Sequence, residues 1–265
     1  MIAFAQALDV AVAEGTLDRN LARERTLKRP KVEAKAGFAN LDYWPLDSHE
    51  QPVEMIRFRD AADEHSYAAL WRLTLSGLTR ADICGLRWSD LDLDAGTVTV
   101  SQGRIALQNN AFIEDAGGRS VVGKPKSAQR WRIIEPDLLH EGTTDLLRVL
   151  RARQAADRLA AGPAYDTSHD LILVDALGNP IRPELWSDWF RRLCETTKGV
   201  SRIHMHNVRH SLADWMDALG LPIAARAAFL GHSKEVHINT YLPSGTAAGI
   251  RAAMEAMGSS VRAAR

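Results

Sequence analysis

Cysteine is scarce, with Cys84 and Cys194 the only two in 265 residues. They stand far apart in apolar helical contexts, which excludes a disulfide framework and gives no metal-ligand spacing, so reduced, buried thiols are expected. Net charge is missing too: Lys+Arg and Asp+Glu number 33 each. That balance excludes a molecule that is basic or acidic all over, but it leaves room for a local basic surface. Long apolar runs are also lacking. The opening MIAFAQALDVAVAEG is broken by Asp9 and Glu14, so it reads as neither a membrane span nor a signal peptide, and a cytosolic protein is the default expectation. Repeats and low-complexity tracts do not occur. What is present is 46% hydrophobic content, enough for one large domain or a domain plus a fragment, with a sizeable core.

The chain order is mostly helical. Ala5 to Leu21 has apolar residues at three- and four-residue steps, interrupted at Gly15. Lys28, Arg29, Pro30 and Lys31 make a basic connector, and the polar stretch up to Pro52, which contains Pro45, reads as an interdomain linker. VEMIRFRDAADEH and SYAALWRLTLSGL fit two amphipathic helices. ADICGLRW then buries Ile83, Leu86 and Trp88, and Thr97 to Val100 has the β-branched content of a strand. Arg104 to Glu135 reads as a short antiparallel sheet punctuated by Asn109-Asn110, Gly117-Gly118 and Lys124-Pro125. Helix returns after it; DLILVDALGNPIRP reads as a strand and turn, and ELWSDWFRRLCETTKGV as a helix with Trp186, Trp189, Phe190 and Leu193 as its core stripe. A last helix, GTAAGIRAAMEAM, follows. The expected fold class is mainly α with a small antiparallel β-sheet (α+β).

The densest chemistry lies in HNVRHSLADWMDALGLPIAARAAFLGHSKEVHINTY, from His206 to Tyr241. An Arg offers a planar fork of donors to phosphate oxygens, His donates hydrogen bonds or moves a proton, and a Tyr hydroxyl can attack phosphorus. Each residue alone has a bland explanation, a satisfied structural His or a half-buried Tyr anchor. As a set, HNVRH, LGHS and the closing Tyr resemble the tyrosine recombinase (phage integrase) family, whose pattern is HxLRH, LGHS and TxxxY; His237 stands where that family has Thr. The resemblance implies a core-binding remnant at residues 1–32, a linker at 33–51 and a catalytic domain at 52–265. Asn20-Leu21-Ala22 followed by KRPK fits the end of the family's core-binding domain. About one helix precedes it, so most of that first domain is expected to be absent.

Cleaving a phosphodiester with tyrosine requires neutralising the non-bridging oxygens, activating the phenol and protonating the departing 5′ oxygen. The resemblance assigns Tyr241 as nucleophile and Arg209 as phosphate clamp, with His206 on the phosphate or the tyrosine proton and His232 donating to a non-bridging oxygen. His206 and Arg209, three apart, fall on nearly one face of a helix, whereas His210 points elsewhere and reads as structural. Between Gly117 and Arg132 the chain carries Arg119, Lys124, Lys126, Arg130 and Arg132 and no acid, a basic, DNA-facing hairpin. The family's catalytic Lys lies in such a hairpin, and Lys126, followed by Ser127, fits it better than Lys124 and can protonate the leaving oxygen.

One departure concerns the family's Gly-x-Arg-x-x-Glu. Here Thr79 stands at the Arg position and Asp82 at the acid. Arg80 is adjacent, but one residue on a helix is a rotation of about 100°. Losing such a donor would slow chemistry by roughly two to three orders of magnitude. The resemblance further implies double-stranded DNA as partner, no metal or nucleotide cofactor, and tetramers on paired sites that exchange the C-terminal helix. Two other readings stand beside the recombinase: a catalytically inactive DNA-binding remnant of an integrase, favoured by Thr79 and the neutral charge, and a type IB topoisomerase-like nicking and resealing enzyme.

Overall fold

A computed structural model describes residues 2–20, 42–106, 120–123 and 131–233. The chain divides into two compact units, Met1–Gly37 and Phe38–Arg265. In the first, helix α1 (Ile2–Ala13) ends in a turn at Gly15, whose φ of +72° suits a residue without Cβ. Asn20 Nδ2 donates to Asp9 Oδ1 at 2.6 Å.

The second unit runs α2 (Val53–Ala62), α3 (Ala68–Leu75), α4 (Arg80–Gly85), β1 (Leu91–Asp92), β2 (Thr97–Val100), β3 (Gly103–Ala106), β4 (Ser120–Gly123), β5 (Arg132–Ile134), α5 (Thr143–Ala161), α6 (Pro183–Thr196), α7 (Val208–Ala218) and α8 (Ile223–Leu230). Among the described residues this is mainly helix with little strand, the fold class the sequence indicates. Aromatic packing holds the helices together. On α6, Trp186, Phe190 and Cys194 recur every four residues and are buried, the spacing that keeps side chains on one face. The Trp186 ring stacks on Trp71 of α3 at 3.6 Å between centroids, and Phe190 meets Phe58 of α2 at 4.9 Å.

Trp44, within the segment that reads as linker, is 2% exposed. Its ring lies 5.2 Å from Phe58 and 5.9 Å from Phe190. Its Nε1 donates to the Ser201 carbonyl at 2.8 Å and its backbone N–H to Ser211 Oγ at 3.0 Å. Residues around Trp44 therefore pack with the second unit.

The strand region forms two sheets where the sequence suggests one. β1, β2 and β5 make a three-stranded antiparallel sheet, and β3 pairs antiparallel with β4. β5 thus bypasses β4 and pairs with β2, in the register Val98 to Ile134 and Val100 to Arg132. Side chains alternate across a strand: Val98 and Val100 are buried, Arg132 is also buried, and Trp131 and Ile133 are 55% and 56% exposed. The stretch 171–174 is buried but forms isolated bridges rather than a strand of a sheet. It docks by main-chain bonds, Ile172 N–H to the Leu86 carbonyl at 3.0 Å and Trp88 N–H to the Asp170 carbonyl at 2.9 Å.

Candidate active site

The site begins at a glycine. Gly77 follows α3 with φ +86°, a left-handed conformation that a Cβ would strain, and its carbonyl becomes an acceptor shared by distant segments. Two residues on, Thr79 caps α4 in a reciprocal box: Asp82 N–H donates to Thr79 Oγ1 at 3.3 Å, and Thr79 N–H donates to Asp82 Oδ2 at 2.9 Å. Two orphan donors of a six-residue helix are satisfied in this way. Thr79 is thus a helix cap.

Arg209 enters from α7 and is 3% exposed. Its Nη1 donates to the Gly77 carbonyl and its Nη2 to the Leu230 carbonyl, and Nη2 lies 2.7 Å from His232 Nε2. His232 reaches that point because α8 ends at Gly231 in the left-handed region, φ +65°, ψ +42°, and His232 N–H closes the turn on the Ala227 carbonyl at 2.9 Å. The Leu-Gly-His of the sequence is thus a helix C-cap that aims an imidazole at a buried guanidinium.

His206 sits in a 3-10 turn, Met205–Asn207, ahead of α7, so it precedes the helix that carries Arg209. Arg209 is buried and His206 is exposed. His206 lines a cleft of about 890 Å3 together with Thr79, Arg80, Arg191, Arg202 and His204. Arg80 points into it and donates from Nη1 to Ser187 Oγ of α6 at 3.2 Å, away from the Gly77 carbonyl. His210 is 4% exposed, and its pKa is pushed down to about 4, chiefly by burial and then by the neighbouring His206 and Arg209 charges. A neutral, buried imidazole agrees with a structural part.

Arg132 requires a correction. The sequence places it on a DNA-facing basic hairpin, but it is 8% exposed. Its Nη2 donates to the Gly77 carbonyl at 3.3 Å and stands 3.9 Å from Asp82 Oδ2. Strand alternation is the cause, since the residue opposite Val100 must face the core. The strand period across Trp131-Arg132-Ile133 is the sequence signal that separates inward from outward positions in this basic stretch. Gly77 and Leu230, whose carbonyls accept from the site's guanidinium groups, carry no side-chain signal at all.

Asp82, Thr79, Arg132, Arg209 and His232 are thus gathered around the Gly77 turn, with Arg80 and His206 in the cleft. Tyr241, Lys126, Arg119, Lys124 and Arg130 lie outside the described residues, as does the helix read after the tyrosine. Among the described residues no three His, Cys, Asp or Glu side chains gather as a metal site, and no helix is long and apolar enough to cross a membrane.

Comparison with known proteins shows what the chain is similar to. Residues 144–246 match the model of the phage integrase family. A tyrosine recombinase XerC-like protein of Caldanaerobacter subterraneus subsp. tengcongensis is 25% identical over 188 residues, covering 68% of this chain and 46% of that protein. Tyrosine recombinase XerC of Staphylococcus saprophyticus is 30% identical over 82 residues, 30% of this chain and 28% of that one. The chain therefore spans less than half the length of these curated relatives. In fold it is similar to the Tn1549 transposon integrase solved with transposon right end DNA, at TM-score 0.61, 16% identity and coverage of 96% of this chain and 76% of that one. XerA recombinase is similar at TM-score 0.52 and 18% identity, over 80% and 64% of the two chains.

Proposed function

We propose, from the match of residues 144–246 to the phage integrase family, that the chain is a tyrosine-type site-specific DNA recombinase of a mobile element. The observation that carries the reading is the convergence of Arg209 and His232, from two helices, on one buried point, beside a cleft lined by His206. Arg209 clamps a non-bridging oxygen of the scissile phosphate, His232 donates to a non-bridging oxygen, and His206 hydrogen-bonds the phosphate or accepts the phenolic proton. Tyr241 attacks phosphorus, the 5′ oxygen leaves with a proton from Lys126, and a 3′-phosphotyrosyl bond conserves the energy for the return attack by a second strand. The nine residues from His232 to Tyr241 span at most roughly 30 Å when extended, ample for the hydroxyl to reach the pocket.

DNA is the partner proposed, as for the Tn1549 integrase solved with transposon end DNA. It is held mainly through phosphates by Arg80 in the cleft and by Arg119, Lys124 and Arg130 of the basic hairpin, with affinity falling as salt rises. A homotetramer on paired sites, formed by exchange of the C-terminal helix, belongs to the same proposal, as does the division into a core-binding remnant, a linker and a catalytic domain. The second reading, an inactive DNA-binding remnant, is favoured by Thr79. One assay separates the two. Incubation with nicked duplex DNA followed by denaturing electrophoresis yields a covalent protein-DNA adduct that Tyr241→Phe abolishes; no adduct from the wild-type chain on any duplex refutes the recombinase.

A further inference from the structure

Resting on the recombinase reading, we infer that Arg202 grips the DNA backbone beside the scissile phosphate, about one or two phosphates along the same strand from the position of His206. The segment leading into α7 is extended at His204, φ −75°, ψ +140°. Alternate side chains of an extended chain share a face, roughly 6–7 Å apart. Here Ile203 and Met205 are buried, whereas Arg202, His204 and His206 are exposed, and all three line the cleft of about 890 Å3. A row of one guanidinium and two imidazoles thus runs out from His206, with a step close to that between successive phosphates of one DNA strand. Arg80 of α4 and Arg191 of α6 add their charges to the same cleft. Against them stand Asp42 and Asp188, and Asp188 is already met by Arg191 at 3.2 Å. Arg202 itself rests on Glu195, Nη1 to Oε1 at 3.5 Å, a carboxylate that also meets Arg191 at 3.7 Å. The Arg202 side chain is 65% exposed, and so open an ion pair contributes little. A phosphate, which takes a guanidinium fork on two oxygens, replaces the carboxylate readily. A charged row on an open surface would be merely solvated; this one ends at His206 inside a cleft.

The test uses the full chain, Arg202→Gln and Arg202→Lys. Each lost phosphate contact lowers the dependence of log affinity on log salt by about 0.9. On a fluorescent random-sequence duplex titrated across sodium chloride concentrations, Arg202→Gln is expected to show that loss, with about five- to tenfold weaker binding in low salt. Arg202→Lys keeps the slope. To place the contact on the strand, adducts on a nicked duplex are mapped, and each of the two phosphates on either side of the mapped position is replaced in turn by an uncharged methylphosphonate. One replacement is expected to slow wild-type adduct formation about five- to tenfold and to leave the rate of Arg202→Gln, already reduced, unchanged. An unchanged salt slope in Arg202→Gln, or replacements that slow wild type and variant alike, overturns the assignment while the recombinase reading stands. If the wild-type chain forms no adduct, that reading fails on its own. The slope then decides the assignment: a loss of about 0.9 in Arg202→Gln keeps Arg202 on a DNA phosphate, and equal slopes overturn it.

Discussion

Replacing Asp82 by Asn probes the charge balance around the Gly77 turn. The change keeps shape and leaves an oxygen to accept from Thr79 N–H, now 2.9 Å from Asp82 Oδ2. It removes the negative charge 3.9 Å from Arg132 Nη2, leaving Arg132 and Arg209 together on one carbonyl. At an effective dielectric of about 20, the lost attraction is about 4 kcal/mol in gross terms. The carboxylate's own desolvation offsets part of it, whereas breaking a buried ion pair typically costs about 3–5 kcal/mol. Because 3.9 Å is a long ion pair, about 3 kcal/mol is the expected net loss. For a unit of this size that lowers Tm by roughly 6–12 °C. Thermal unfolding followed by circular dichroism measures it, and the loss should change little with added salt because the pair is buried. Adding Arg132→Gln to Asp82→Asn should recover part of the stability by removing the charge that Asp82 faces. Wild-type melting of Asp82→Asn, or a double variant that loses the sum of the two singles, would show that the two charges do not see each other.

Two further predictions concern the core. Trp44→Ala should cost about 3–5 kcal/mol, the usual range for a buried aromatic, because the ring packs on Phe58 and Phe190; urea denaturation reporting under about 0.5 kcal/mol would return that residue to a linker. His140, 6% exposed, has its pKa pushed down to about 4, first by burial and then by the charges of Arg59 and Arg72. Its folded pKa lies below the unfolded value of about 6.5, so the unfolded chain binds the extra proton. The native state is then fully favoured above pH 6.5 and loses up to about 3 kcal/mol as pH falls toward 4. His140→Gln should flatten the acid limb of a stability-against-pH curve, and an unchanged limb would refute the assignment.

Local chemistry made much of this protein legible from residue order alone. The four-residue aromatic stripe of α6 and the β-branched run of β2 specify their elements because periodicity and burial coincide there. The HNVRH and LGHS segments announce a guanidinium-imidazole pair because the glycine after α8 can only end that helix in the left-handed turn that carries His232. Strand partners escaped such reading. β5 follows β4 in sequence but pairs with β2, a choice made by which apolar faces can be buried together. The same choice turned Arg132 from an expected surface residue into a buried neighbour of Arg209. Trp44 is a core residue for a similar reason: a hydrogen bond such as the one from its backbone N–H to Ser211, over a hundred residues away, exists only once the chain has closed on itself, whereas the Thr79 cap is local, made with Asp82 three residues on. Sequence determined which groups were available and how each helix begins and ends. Tertiary packing alone decided which charges share an oxygen, because burial and distance in space set that and spacing along the chain does not.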